Sequence, residues 1–94
     1  MIRVSESWTL LSNHGHVLVC LGIDPQIRMR DVAQQVGITE RAVQIIVRDL
    51  VQGGFVSIDR VGRRNHYRLS ASSHFRHPLE AHVRVQDFLE LVQS

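Results

Sequence analysis

Lysine is missing from this chain of 94 residues, and all eleven basic side chains are arginine. The absence removes the compact, strongly hydrated ammonium and leaves planar guanidinium forks, which match phosphate oxygens bidentately. A skewed genomic base composition produces the same absence, so by itself it has two readings. Cysteine is nearly missing too: Cys20 stands alone in the apolar run "HVLVCLGI". There a thiol behaves as a small buried hydrophobe, no disulfide can form within the monomer, and a reducing compartment is expected. No apolar run reaches the ~20 residues a membrane-crossing helix needs. The N-terminus carries neither a basic leader with a long apolar core nor a small-residue cleavage site, so a soluble, cytoplasmic protein is expected. There is no phosphate-cradling glycine loop, nucleophile elbow or pair of catalytic carboxylates, and no internal repeat. A chain this short forms one small domain with little core to spare, which excludes a large enclosed cleft. The expectation is a non-enzyme without a cofactor, a single domain over residues 1–94.

What is present is helical periodicity. Ser12 precedes the mostly apolar "NHGHVLVCLG" and can cap a first helix near residues 13–22, which "DP" at 24 and 25 then ends. In "IRMRDVAQQVGIT", Met29, Val32, Ala33 and Val36 recur at the spacing of a helix with one buried face, and Gly37 supplies a left-handed stop. Thr39 is a good N-cap for a third helix, with Glu40 in the first turn where the dipole favours an acid. Val43, Ile46, Val47 and Leu50 form its buried stripe, and Gly53 and Gly54 close it. The opposite face carries Arg41, Gln44, Ile45, Arg48 and Gln52.

Beyond that helix, "FVSID" and "HYRL" alternate apolar and polar on either side of Gly62 as half-buried strands do. With Gly62 and Arg63 as the central residues of a type II′ turn, the register is fixed. Val56 then faces Leu69 and Ile58 faces Tyr67 on the inner side, while Ser57 meets Arg68 and Asp59 meets His66 outside. A one-residue slip would turn all four apolar side chains to water. The stretch "RVGRRNHYRL", residues 60–69, holds four arginines and no acid, and its tip projects Arg60, Arg63 and Arg64.

After the connector "SASSHFRH", Pro78 suits the first position of a last helix over residues 78–93. Ala81, Val85, Phe88, Leu89 and Val92 form its main stripe. Leu79, Val83 and Leu91 fall outside that stripe, and with Phe88 they are the candidate contacts to a second copy of the chain. The alternative is that the off-stripe residues are isolated exposed apolars.

Helix, short helix, tight turn, helix and arginine-tipped hairpin follow one another in the order of a winged helix-turn-helix domain. The fold class is therefore mainly α with a small β-hairpin wing, residues 8–70 forming core and wing. The segment "DPQIRMRDVAQQVGITERAVQIIVRDLVQGGFV", the wing "GRRNHY" and the following "RHPLE" resemble the small winged-helix transcriptional regulators of bacteria, in the style of the MarR and ArsR groups. The resemblance runs from Trp8 to about Val92. It implies a recognition helix over residues 39–52 in the DNA major groove and a hairpin on the backbone or in the minor groove.

A reading from the residues agrees. A helix fits a groove about 12 Å wide, where Arg41 and Arg48 suit guanine and Gln44 suits adenine. Thr39, Glu40 and Ile45 complete the expected reading surface, with Ile45 against a thymine methyl or else part of a protein-docking surface. Arg60, Arg63, Arg64 and His66 are the expected wing contacts, and Arg28 and Arg30 the expected backbone contacts. Residues 28–64 carry seven arginines against four acids.

The expected partners are double-stranded DNA and a second copy of the chain, without a membrane and with the small-molecule effector unknown. Six histidines raise a metal reading, since ArsR-style regulators often sense metals. Zinc needs three or four converging ligands, and the spacings of His74, His77, His82, His14 and His16 supply no such set, so no metal is expected. The competing class is a winged-helix protein-interaction module that binds no DNA.

Overall fold

Ser12 opens the first helix of the computed structural model, which describes residues 8–94; residues 1–7 of the expected domain lie outside the described residues. Ser12 is extended, and its hydroxyl accepts from the Gly15 amide at 3.4 Å, satisfying one of the free N–H groups at the start of α1 (Asn13–Ile23). The helix ends at Asp24, whose amide donates to the Cys20 carbonyl. Helix α2 (Met29–Val36) stops at Gly37, whose φ of +86° is in the left-handed region that favours glycine. Two residues later Thr39 is extended again, and its Oγ1 accepts from the Ala42 amide at 3.0 Å to start α3 (Glu40–Gln52). That helix closes with Gly54 at φ +81°, where the amide of Phe55 donates to Leu50 and that of Gly54 to Val51. This is the double bond pattern of a Schellman ending.

The three helices meet through the stripes the sequence marks. Val17, Leu18, Cys20 and Leu21 of α1, Val32 and Ala33 of α2, and Val43, Ile46, Val47 and Leu50 of α3 are all buried. Cys20 is the only cysteine; burial raises its thiol pKa, and its Sγ points to Gln35 Oε1 at 3.6 Å.

The wing consists of β1 (Val56–Val61) and β2 (Arg64–Leu69), antiparallel, with Val56 opposite Leu69, Ser57 opposite Arg68, Ile58 opposite Tyr67 and Asp59 opposite His66. The register is the expected one. Gly62 has φ +62° and no non-glycine residue among those described has positive φ, so Arg63 takes negative φ, as a type II′ turn requires and a type I′ turn does not. A second edge contact steadies the hairpin: the Tyr67 amide points away from β1 and donates to the Pro25 carbonyl at 2.8 Å. Strand β2 thus lies between β1 and the segment leading into α2.

One inward assignment is corrected. Tyr67 is 4% exposed, but its cross-strand partner Ile58 is 41% exposed. Register decides which face a side chain shares, not how far the core extends beneath it. The helices cover Val56 and Tyr67 near the base of the hairpin, and β1 then runs on past them into solvent.

The expected helix over 78–93 is also corrected: α4 spans Val85–Gln93. Residues before it form turns, with Glu80 N–H donating to His77 O and Val83 N–H to Glu80 O. His77 Nδ1 accepts the Leu79 amide at 3.1 Å, a local bond that competes with a helical start. Phe75 N–H donates to Val83 O and Val85 N–H to Ser73 O, which brings Arg84 back beside His74. A helix rising 1.5 Å per residue from Pro78 would carry the chain away from that bridge. The loop is closed by packing, since the Phe75 and Phe88 rings meet edge to face at 5.7 Å. Ala81 therefore leaves the helical stripe, Val85 and Leu89 remain buried, and Val92 is exposed. Among the named elements α4 packs against α1.

Candidate nucleic-acid interface

The capped turn between α2 and α3 gives α3 two different faces. Its stripe is sealed in the core, so Glu40, Arg41, Gln44, Ile45 and Arg48 are all turned to solvent, Ile45 at 39% exposure. Thr39 is exposed at the head of the helix, with its hydroxyl already engaged by Ala42. Arg28 is the N-cap residue of α2 and makes no side-chain cap bond, while Arg30 is the second residue of the helix; both are exposed. Arg60, Arg63 and Arg64 are exposed on the wing, and His66 is half-buried.

Ion pairing divides the described arginines, although Arg76 of the connector also stands without a carboxylate partner among the described residues. Among the described residues, Arg68 pairs with Asp59 across the wing and Arg84 with Asp87 at 3.0 Å, whereas Arg28, Arg30, Arg41, Arg48, Arg60, Arg63 and Arg64 have no carboxylate partner. Two of the four acids that dilute the positive stretch are themselves engaged. Asp59 is held by Arg68, and the carboxylate of Asp49 meets His14, whose Nε2 lies 2.9 Å from its Oδ2. The Arg68 pairing was readable in the register, because Arg68 stands diagonally across from Asp59. The His14 contact joins residues 35 apart and had no sequence signal.

The wing and the lead-in to α2, expected as separate contacts, are brought together. A cleft of about 180 Å³ is lined by Arg28, Arg60, Arg63 and Arg64 with Gln26 and Asn65. Gln26 and Asn65 were missed from sequence because neither is charged, although Asn65 sits within the arginine-rich "RVGRRNHYRL". A larger groove of about 600 Å³ lies between the start of α1, the end of α3 and the connector before α4, floored by Leu18, Leu50, Phe55, Phe75 and Phe88. None of the expected DNA-contacting residues lines it.

The expected dimer residues are dispersed. Leu79 is 79% and Leu91 77% exposed, but Leu79 and Val83 stand in the turns before α4, and Val83 and Phe88 are partly covered, Phe88 by Phe75. Two further histidines serve local structure: His16 Nε2 meets Thr9 Oγ1 at 3.1 Å and His74 Nδ1 meets the Ser72 carbonyl at 3.0 Å. Among the described residues no three of His, Cys, Asp and Glu come together as a metal site.

No family model and no curated protein matches this sequence. Solved structures do. The PcaV transcriptional regulator of Streptomyces coelicolor, determined with its natural ligand, superposes with a TM-score of 0.55 at 28% identity, over 68% of this chain and 48% of its own. The MarR family protein Rv2887 of Mycobacterium tuberculosis, determined with salicylic acid, gives 0.55 at 25% identity over 65% and 48%. The fold is a MarR-like winged helix. MepR of Staphylococcus aureus, regulator of a multidrug efflux pump, shares that fold with a TM-score of 0.55 at 20% identity over 70% and 51%. This MarR-like chain matches about half the length of each of these proteins. The structures it resembles are of transcription regulators rather than enzymes. No helix among the described residues is long and apolar enough to cross a membrane.

Proposed function

We propose that this chain is a sequence-specific, double-stranded-DNA-binding transcriptional regulator of the cytoplasm. Helix α3 enters the major groove, where Arg41, Gln44 and Arg48 read base edges and Ile45 meets a thymine methyl. The wing arginines and His66 follow the backbone or the minor groove, and Thr39, Arg28 and Arg30 hold phosphates. The observation that carries this reading is that seven arginines of the helix-turn-helix and wing lack carboxylate partners among the described residues. Unpaired guanidiniums on a surface are poised to exchange counterions for phosphates, the main source of affinity for duplex DNA.

The regulator acts as a homodimer through Leu79, Val83, Phe88 and Leu91, of which Leu79 and Leu91 are the most exposed, with half-sites about 34 Å apart. Exposure of Ile45 supports a second reading, a module that docks another protein through the same helix.

Selection of bound fragments from a pool of random duplexes, repeated at higher salt, tests the two readings. A regulator enriches a two-fold related motif, and Gln44→Ala relaxes one base position of it by ~1–3 kcal/mol of discrimination. Arg63→Ala with Arg64→Ala then lowers affinity across all sequences. A pool that returns unenriched at every salt concentration, with a partner protein retained by the double variant, decides for the docking module.

A further inference from the structure

We propose that the cleft between the wing and the lead-in to α2 is a phosphate-binding site, in which Arg28 joins Arg60, Arg63 and Arg64 around a single phosphate group. For a duplex backbone phosphate this deepens the DNA-binding reading and rests on it; for a free phosphorylated small molecule it does not. Four arginines from parts of the chain more than thirty residues apart line one cleft of about 180 Å³, and no acidic residue lines it. Asp59, the acid on the wing itself, is occupied by Arg68. Like charges gathered in this way repel until an anion sits among them.

The walls are fixed before any ligand arrives. Tyr67 N–H donates to Pro25 O at 2.8 Å and Arg64 Nη1 to Gln26 O at 3.4 Å, so the wing is tied by backbone to the segment that carries Arg28. Arg64 spends one of its five N–H groups on that carbonyl and keeps the others for an anion. Asn65 adds an amide to the lining.

Size and lining select the chemistry. At about 180 Å³ the open cleft is smaller than the ~300 Å³ and more of pockets that enclose a drug-sized ligand, and a tetrahedral phosphate fits it. Tyr67, the one aromatic in the lining, is buried and offers no free face on which a base could stack. The site therefore recognises the phosphate and not what the phosphate is attached to. It also gives the wing a docking geometry: one phosphate bridges α2 and the hairpin, locking the wing to the same strand that α2 touches.

Two measurements on the full chain test this. In the first, the Nε–H signals of the arginines are followed by NMR as pyrophosphate is added at constant ionic strength. Arg28 and Arg64 are expected to shift together and saturably with one Kd, and Arg28→Gln to weaken the binding felt at Arg64 by about tenfold or more. Absent saturation, or an Arg64 response indifferent to Arg28→Gln, overturns the site.

In the second, duplex affinity is measured against salt for Arg28→Gln, Arg60→Gln and the double variant. A shared phosphate makes the double variant's log–log slope shallower than the parent's by no more than about 0.9 per subunit, whereas two separate phosphates give about 1.8 and overturn the sharing. Pyrophosphate saturation without duplex binding at any salt supports the cleft as a site for a free phosphorylated molecule, and the DNA reading alone falls. Duplex binding without pyrophosphate saturation leaves the DNA reading and removes the cleft.

Discussion

Ile58 and Tyr67 stand opposite each other on one face of the wing, yet replacing each by alanine should have very different costs. Tyr67 is almost wholly buried, and its hydroxyl lies 4.0 Å from Met29 Sδ. Truncating a buried aromatic to alanine costs about 3–5 kcal/mol through lost burial and the cavity left behind. Ile58 loses three carbons on truncation, worth about 2.4 kcal/mol if fully buried at ~0.8 kcal/mol per carbon. With roughly six-tenths of its surface covered, the loss is about 1.4 kcal/mol. The two variants should therefore differ by about 2 kcal/mol or more, which for a domain of this size separates their melting temperatures by roughly 8–16 °C. Urea unfolding followed by far-UV circular dichroism gives both values, and the slope must stay that of the parent for the comparison to hold. If Ile58→Ala costs as much as Tyr67→Ala, the hairpin is covered well beyond its base and the account of the wing as a projecting element is wrong.

The remaining predictions concern the start of α3 and the wing's charge. Thr39→Ala removes the acceptor for the Ala42 amide and should cost about 1 kcal/mol, read as a lower urea midpoint with an unchanged slope. Asp59→Asn releases Arg68 from its cross-strand partner and adds a free guanidinium to the wing; duplex affinity should rise, and its salt dependence should steepen by up to ~0.9 per subunit in the log–log plot. An affinity that falls in that variant would mean that the Asp59–Arg68 pair shapes the wing rather than merely screening it.

Most of the fold was legible because local signals and tertiary need agree along residues 12–69. Ser12, Gly37, Thr39 and Gly54 each satisfy or terminate a helix end by their own chemistry, and the apolar stripes between them are the ones the core buries. The hairpin register was legible for a related reason: one glycine with positive φ and one parity of apolar residues admit a single pairing. The segment before α4 was not, because Pro78 and the acid after it are good helix starters locally. What wins there is non-local, the contact of Phe75 with Phe88 and the backbone bridge that brings residue 84 back to residue 74. Exposure of Ile58 has the same origin, since alternation in a strand says nothing about where the supporting helices end. Within the candidate site, the individual arginines could be named from sequence, but their meeting in one cleft follows from Tyr67 reaching Pro25 across 42 positions of chain.

Charge bookkeeping by sequence alone understates this surface. Seven arginines against four acids over residues 28–64 look like a modest surplus of three, and the whole chain carries only +2. Pairing redistributes that charge. Asp59 is neutralised by Arg68 and Asp49 is turned toward His14, neither partner belonging to that span, so Asp31 and Glu40 are the acids left without an ion pair there among the described residues. No acid lines the cleft shared by Arg28, Arg60, Arg63 and Arg64, while Glu40 stays exposed on the outer face of α3. At ~0.15 M salt the screening length is about 8 Å, so what counts at contact is this local composition and not the net charge of the chain. A weakly charged protein can in this way present a locally basic surface, provided that nearby acids are held by partners from outside it.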